Sequence, residues 1–488
     1  MISSVASATL IGAMGCAVSV EVHVSNGLPS FTIVGLPDTA VREARDRVRA
    51  AILSSGLQWP MQRVTVNLAP SGVRKVGAGL DLPIAIGLLV ATEQLDPDCA
   101  EGLAFCGELG LNGSLRHVPG MIGLADAIVS PLLVVPLCDF HEAALVRGSS
   151  VRGAATLVEL VSILRRRSPW PDAPDLVPEA ASRGGPDLSE VRGQAVGRRA
   201  LEVAAAGRHH LLLIGPPGAG KTMLAERLPS LLPPLSLEEA LTVSRLHSAA
   251  GAALPEGSLI ERAPFRAPHH QATIISLVGG GNLSLRPGEA SLAAHGVLFL
   301  DELGEFPVAA IEALRQPLEE GVIRVNRLGG TATFPAEFLL VAAMNPCPCG
   351  EGIYKGKCTC SEATRARYRR RISAPFLDRF DLIVPVSRPD PDELLSGHPG
   401  ETSAKVAARV AKARGRAEAR GNRDPVLAQA ASDLVGKRLR EGALSARGLS
   451  KVTRVAQTLA DLAEEEMVSY EHVSEALALR AAGSVVTA

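Results

Sequence analysis

Hydrophobic and polar positions alternate along the first 165 residues as the strands and helices of an α/β domain require. Residues 18–24 and 63–67 carry apolar side chains at every second position, which is the period of a half-buried strand. Helical spacing follows near residues 39–55, and a Gly-rich turn precedes a second helix that begins near Asp81. The pattern predicts an α/β domain over residues 1–165.

Three further segments follow this domain. Residues 166–186 contain five prolines and a pair of glycines, a composition typical of an exposed linker. Between residues 187 and 389, short apolar runs alternate with helical segments, which predicts a parallel sheet covered by helices on both faces. Over residues 390–488 apolar side chains recur at helical spacing, so this part is predicted to be a helical domain.

Composition and charge exclude several classes of protein. The chain has 488 residues, 47% of them hydrophobic, and a formal net charge of −1, so no overall positive field attracts it to nucleic acid or membranes. Its longest apolar runs, such as residues 82–91, are shorter than the roughly 20 residues that span a bilayer. The apolar N-terminal segment lacks the basic start of a signal peptide. We therefore expect a cytoplasmic protein with no membrane contact.

A phosphate-binding loop lies between an apolar strand at residues 211–214 and a helix that continues from residue 223. The loop residues are Gly215, Pro216, Pro217, Gly218, Ala219, Gly220, Lys221 and Thr222. In this motif the glycines let backbone N–H groups surround the phosphates, Lys221 reaches the β and γ oxygens, and the Thr222 hydroxyl binds Mg²⁺. ATP and Mg²⁺ are the expected ligands, and a chance Gly-rich turn is the alternative.

Two later strands end in polar residues. The apolar run 296–300 leads into Asp301 and Glu302, and the run 338–344 leads into Asn345. In a P-loop site Asp301 holds Mg²⁺ through its water shell, while Glu302 orients and polarises the attacking water. Without the preceding phosphate loop these carboxylates would be interpreted as a helix cap or a turn. Asn345 is expected to position the γ-phosphate or the water, and a turn-forming role before the next proline is the alternative.

Four of the eight cysteines lie within fourteen residues. They form two C-x-C pairs, Cys347 with Cys349 and Cys358 with Cys360, separated by a glycine-containing segment. Four thiolates close a tetrahedral site and leave no open position, so the pattern predicts a structural rather than a catalytic Zn²⁺ site. Disulfides are the alternative, which a reducing cytoplasm disfavours.

These motifs resemble those of the magnesium-chelatase-like AAA+ ATPases known as the YifB or ComM family, and the resemblance covers nearly the whole chain. It rests on the motifs at residues 34–37, 67–70, 81–85, 107–109, 215–222, 264–270, 286–289, 296–306, 344–350 and 377–381. The implied fold class is α/β: an S5-like α/β domain, a P-loop AAA+ parallel sheet flanked by helices, and a C-terminal helical lid.

The resemblance also implies a homo-hexameric ring in which a neighbouring subunit completes each ATP site. Arg379 matches the position of the arginine finger of the family, and Arg447 matches the sensor arginine of the helical lid. An arginine finger stabilises charge on the phosphoryl group that is transferred. For either residue a surface salt bridge is the alternative.

The N-terminal domain resembles the proteolytic domain of Lon, which makes an ATP-dependent protease a hypothesis to weigh. Gly79 stands at the position of the Lon nucleophile, and glycine cannot attack a carbonyl. Ser71 lies on the other side of Lys75 and has no evident base. We therefore do not expect a peptidase.

Residues 321–334 predict a β-hairpin ahead of the strand that ends in Asn345. The family resembles the clade of the MCM helicases, in which such a hairpin projects into the pore of the ring. Arg324 and Arg327 would then contact DNA phosphates, and a solvated hairpin is the alternative. The basic stretches 365–371 and 405–423 are further candidates for a phosphate-tracking surface, or ordinary solvated faces.

Two functions remain open. The first is an ATP-dependent ring motor that remodels DNA, resembling the ComM proteins implicated in branch migration. The second is a protein-remodelling or metal-insertion motor with a protein partner, resembling the ATPase subunit of magnesium chelatase. The Lon-like domain and the four-cysteine insertion favour the first.

Overall fold

The computed structural model describes residues 1–175, 185–255, 257–281, 285–327, 330–352, 358–395 and 399–480. Within these ranges the predicted fold class is confirmed: a mixed α/β region, a parallel sheet flanked by helices, and a C-terminal helical region. None of the helices described there is both long enough and apolar enough to cross a membrane.

The first region is built on a mixed sheet with the strand order β3-β4-β2-β1-β5-β8-β9. Its elements are β1 (Ile2–Ile11), β2 (Met14–Ser25), β3 (Ser30–Val34), α1 (Thr39–Ser54), β4 (Arg63–Ala69), α2 (Asp81–Ala91), β5 (Leu103–Phe105), β6 (Glu108–Leu109), β7 (Leu115–Arg116), α3 (Met121–Ala127), β8 (Leu132–Pro136), α4 (Phe140–Arg147), β9 (Val151–Ala154) and α5 (Leu157–Leu164). Helix α2 is apolar on all sides and wholly buried, so it forms the centre of this core.

The second region contains a parallel sheet with the order β11-β12-β15-β10-β16. Its elements are α6 (Ala195–Gly207), β10 (Leu211–Ile214), α7 (Lys221–Arg227), α8 (Leu237–Ala250), β11 (Phe265–Arg266), α9 (Ile274–Val278), α10 (Glu289–Leu292), β12 (Val297–Leu300), α11 (Val308–Ala313), α12 (Arg315–Glu320), β13 (Val322–Arg327), β14 (Gly330–Pro335), β15 (Leu339–Met344), α13 (Glu362–Arg369), α14 (Ala374–Leu377) and β16 (Leu382–Pro385). Strands β10, β12 and β15 are buried along their whole length, which explains their continuous apolar sequences.

The N-terminal region packs against the second region through α3, α4 and the β1–β2 turn. Arg245 of α8 donates to Asp126 at 2.8 Å, and the Gly120 N–H donates to the Ser248 carbonyl at 3.0 Å. The turn residue Gly12 has a φ of 66°, and a Cβ there would lie 2.9 Å from the Ala332 Cβ in β14. The predicted hairpin β13–β14 therefore rests on the N-terminal region.

The C-terminal helices are α15 (Pro391–Leu395), α16 (Ser403–Arg420), α17 (Gln429–Arg440), α18 (Ala446–Leu462) and α19 (Tyr470–Ala478). They pack on α6 and on the end of the parallel sheet. Arg199 of α6 donates to Glu475 of α19 at 2.7 Å, and the Ile383 N–H donates to the Leu479 carbonyl at 2.8 Å. This helical region shares one hydrophobic core with the sheet.

Candidate nucleotide site

The phosphate loop begins where β10 ends, between β15 and β16. The Gly215 N–H donates to the Met344 carbonyl at 3.2 Å, so the loop starts from a fixed point of the sheet. Gly218 and Gly220 have φ values of 76° and 84°, a left-handed conformation that favours glycine. This conformation aligns backbone N–H groups in the concave arrangement that binds phosphates.

Lys221 is folded onto its own loop. Its Nζ donates to the carbonyls of Gly215 at 2.8 Å and Pro216 at 3.0 Å, and to Asn345 Oδ1 at 3.1 Å. Burial lowers the pKa of this ammonium, and the negative charges of Asp301 and Glu302 oppose that shift. The phosphates of a nucleotide would replace the two carbonyls as partners of Lys221.

Thr222 and Asp301 meet across the edge of the sheet. The Thr222 hydroxyl donates to Asp301 Oδ2 at 2.7 Å, and the Glu302 N–H donates to Asp301 Oδ1 at 2.9 Å. These two bonds fix the orientation of the Asp301 carboxylate, with Oδ2 beside the hydroxyl. A hydroxyl and a carboxylate are oxygen ligands of the kind that Mg²⁺ prefers, so the pair fits this ion.

The sequence pairs His269 with His270 after Pro268, which suggests either a loop role or, less readily, a metal site, but it does not predict a contact of His270 with Glu302. His270 Nδ1 lies 3.4 Å from Glu302 Oε2, and its ring lies 4.1 Å from that of His269. Glu302 has a φ of 52°, which turns its side chain away from the strand direction. The loop after β11 thus brings His270 beside Glu302, the carboxylate expected to polarise water. The signals in the sequence were the adjacent histidines and their place in the motif at residues 264–270.

Arg379 and Arg447 belong to one group of positive charges. Arg379 pairs with Glu319, while burial and then the charges of Arg315 and Arg447 lower its pKa. Among the described residues, the hydrogen bonds and ion pairs of Lys221 and Thr222 do not include either arginine. Arg379 and Arg447 therefore lie close to each other, and neither is a hydrogen-bond partner of Lys221 or Thr222 in the same chain.

The four cysteines are brought together. Cys347 is buried and the other three are partly buried. Their sulfur atoms all lie within 4.8 Å of one another, an arrangement compatible with Zn²⁺.

The basic residues proposed for DNA have different environments. Arg324 on β13 pairs with Glu320 and is 53% exposed, while the Arg327 side chain lies outside the described part of the structure. The stretch 405–423 is largely engaged within the protein: Arg409 pairs with Glu202 and Glu401, Lys412 with Glu464, and Arg420 with Asp461. In the stretch 365–371, Tyr368 is buried and Arg371 pairs with Glu305 at 3.0 Å.

Gly79, the position expected to correspond to the Lon nucleophile, has no nucleophilic side chain. A Cβ on Gly79 would lie 3.0 Å from Val118 Cγ1 and 3.4 Å from Cys106 Sγ, and burial raises the pKa of that thiol well above its usual range. Lys75 is fully buried and donates to the carbonyls of Pro70 and Val73. A protonated thiol and a lysine held by backbone oxygens do not form a nucleophile–base pair.

Three family models match the chain. Residues 187–394 match magnesium chelatase, subunit ChlI, and residues 400–480 match the C-terminal part of that subunit. Residues 20–131 match a further model described as subunit ChlI of Mg-chelatase.

Similar proteins cover almost the whole chain. The protein YifB of Escherichia coli is 44% identical over 483 residues, which is 95% of this chain and 94% of YifB. Competence protein ComM of Haemophilus influenzae is 42% identical over 491 residues, 96% of each chain. The magnesium-chelatase 67 kDa subunit of Heliobacterium mobile is 27% identical over 33% of this chain and 28% of its own. With this identity over nearly its full length, the chain belongs to the magnesium-chelatase-like AAA+ family that includes YifB and ComM.

Proposed function

We propose that this chain is a Mg²⁺-dependent ATPase that assembles into a homo-hexameric ring and uses ATP hydrolysis to remodel DNA. The observation that carries the ATPase is the convergence of Lys221, the Thr222–Asp301 pair and Asn345 at one edge of the parallel sheet. Lys221 binds the β and γ oxygens, Thr222 and Asp301 hold Mg²⁺, and Asn345 contacts the γ-phosphate or the water. The set of cofactors is completed by a structural Zn²⁺ in the four-cysteine cluster.

Hydrolysis needs a water molecule aligned with the γ-phosphate. Glu302 polarises this water, and His270 keeps the carboxylate in place from 3.4 Å away.

The ring is supported by the grouped charges of Arg315, Arg379 and Arg447. Burial and then the charges of Arg315 and Arg447 lower the pKa of Arg379, and its ion pair with Glu319 indicates that an anion is a favourable partner for this surface. The γ-phosphate in the site of a neighbouring subunit supplies such an anion, and Arg379 then acts as the arginine finger and Arg447 as the sensor.

Action on DNA is supported by the similarity to competence protein ComM and by the exposed Arg324 on the β13–β14 hairpin. A protein-remodelling or metal-insertion ATPase with a protein partner is the second candidate, favoured by the three ChlI family models.

The test is ATP turnover with and without forked or four-way-junction DNA at several salt concentrations, with Glu302→Gln as the blank. We expect stimulation by DNA that weakens as salt rises, because phosphate contacts release counterions. ATP turnover that does not change when DNA is added would reject the proposed action on DNA and favour the second candidate. Equal hydrolysis by Glu302→Gln would reject the assigned mechanism, and nucleotide binding by Lys221→Ala as tight as wild type would reject the site.

A further inference from the structure

The four-cysteine cluster joins two segments of the chain, residues 347–349 and residues 358–360. Cys347 and Cys349 follow β15, whereas Cys358 and Cys360 directly precede Ser361, the N-cap of α13. The sulfur of Cys358 lies 3.7 Å from those of Cys347 and Cys349, which are 3.3 Å from each other. A tetrahedral Zn²⁺ with Zn–S bonds of about 2.3 Å places its sulfurs about 3.8 Å apart, so the cluster requires only small adjustments to bind the ion.

The first cysteine pair also lies against the phosphate loop. The Gly350 N–H donates to the Cys347 carbonyl at 2.9 Å, and Gly350 has a φ of 81°. A Cβ on Gly350 would lie 2.4 Å from Pro217 Cδ, so the backbone of this turn is in direct contact with the phosphate loop. On the other side of the pair, Asn345 accepts a hydrogen bond from Lys221 at 3.1 Å.

We infer that the four cysteines bind one Zn²⁺ and that the metal-held turn supports the phosphate loop through the contact of Gly350 with Pro217. Zinc occupancy then sets the affinity of the site for nucleotide. The nucleotide part of this inference rests on the proposed ATPase function, whereas the metal part does not.

The physical reason lies in the cost of ordering the loop. A phosphate loop that is already in its binding conformation loses little entropy when a nucleotide binds. When zinc is absent, weak thiol contacts take the place of the Zn–S bonds between the two cysteine pairs, and the turn at Gly350 moves away from Pro217 more easily. Nucleotide binding must then restore the order of both segments, and the affinity falls.

The first experiment compares the full-length wild-type chain with the double variant Cys358→Ser/Cys360→Ser. The control is Cys138→Ser, which removes an exposed thiol of the N-terminal region. Zinc content and affinity for fluorescently labelled ADP are measured on the same samples. We expect one Zn²⁺ per chain in wild type and control, and none in the double variant. Its affinity for ADP should be weaker by about tenfold or more, which is about 1.4 kcal/mol.

A second variant tests the contact without removing a ligand. Gly350→Ala keeps all four cysteines but places a methyl group against Pro217. Gly56→Ala is the matched control, because Gly56 also has a positive φ of 70° and has no atom within 4 Å of the added Cβ. We expect Gly350→Ala to retain zinc and to bind ADP about tenfold more weakly, while Gly56→Ala binds as wild type does.

The outcomes separate the two claims. Wild-type protein without zinc would overturn the metal site. Retained zinc with unchanged affinity in Gly350→Ala, or lost zinc with unchanged affinity in the double variant, would overturn the support of the phosphate loop. If wild type and Lys221→Ala bind ADP equally, the proposed ATPase fails together with the nucleotide part, while zinc content still decides the metal site.

Discussion

Asp381 connects the helical lid to the parallel sheet, and Asp381→Asn tests this connection. The carboxylate is 3% exposed; its Oδ1 accepts from Arg454 at 2.8 Å and lies 3.6 Å from Lys451 Nζ. Its Oδ2 accepts from the His210 N–H at 3.3 Å. Burial alone would raise the pKa of Asp381, but the His209 ring and the charges of Arg454 and Lys451 outweigh it and hold the pKa well below its usual range.

The magnitude follows from the burial of each partner. Removing one member of a buried charge pair costs about 3–5 kcal/mol, since the other charge is left uncompensated. Arg454 is 59% exposed and regains water, whereas Lys451 is 15% exposed and keeps its bonds to the Asp378 and Phe380 carbonyls. We therefore expect Asp381→Asn to lower the free energy of unfolding by about 3 kcal/mol, at the lower end of that range.

The assay is urea unfolding followed by two signals. Helical circular dichroism reports mainly on the second and C-terminal regions, which contain most of the described helical residues, whereas the fluorescence of Trp59 and Trp170 reports on the N-terminal part, because the chain has no other tryptophan. We expect the dichroism midpoint to fall and the fluorescence midpoint to change little. Asp433→Asn is the control, because Asp433 is exposed on α17. With either signal, it should change the free energy of unfolding by no more than about 0.5 kcal/mol. An unchanged dichroism midpoint in Asp381→Asn would refute the role of this residue.

Three further predictions concern the site and the core. Arg379→Ala should leave nucleotide binding nearly intact and lower turnover by about 10³-fold or more, with recovery in rings mixed with wild-type subunits; no recovery would argue against a contribution between subunits. Thr222→Val should raise the Mg²⁺ concentration needed for half-maximal turnover, because the hydroxyl beside Asp301 is lost; an identical Mg²⁺ titration would contradict its role. Burial, the largest effect, lowers the pKa of His210 from 6.5 to about 4, and its Nδ1 accepts from the Leu340 N–H. The unfolded state therefore binds more protons between these pH values, so stability is complete above pH 6.5 and should fall by up to about 3 kcal/mol as the pH drops through 4. Acid unfolding curves of His210→Asn should show a smaller loss of stability. An equal loss would mean that groups other than His210 cause the acid sensitivity.

The sequence by itself determined the elements of the fold and the residue types of the site. The apolar runs before Gly215, Asp301 and Asn345 are short and continuous, a local pattern typical of a buried parallel strand. Because such strands end at one edge of the sheet, the sequence also indicated that these residues lie near one another.

Tertiary structure alone decided which side chains meet. Thr222 and Asp301 are 79 positions apart in the chain, and their hydrogen bond depends on the strand order β12-β15-β10. The contacts of His270 with Glu302 and of Gly350 with Pro217 depend on the paths of two loops, which no periodicity encodes. Arg409 and Arg420 of the basic stretch likewise form ion pairs within the protein. The sequence could not predict these pairs, because a charge pattern does not specify where the opposite charges lie in the fold.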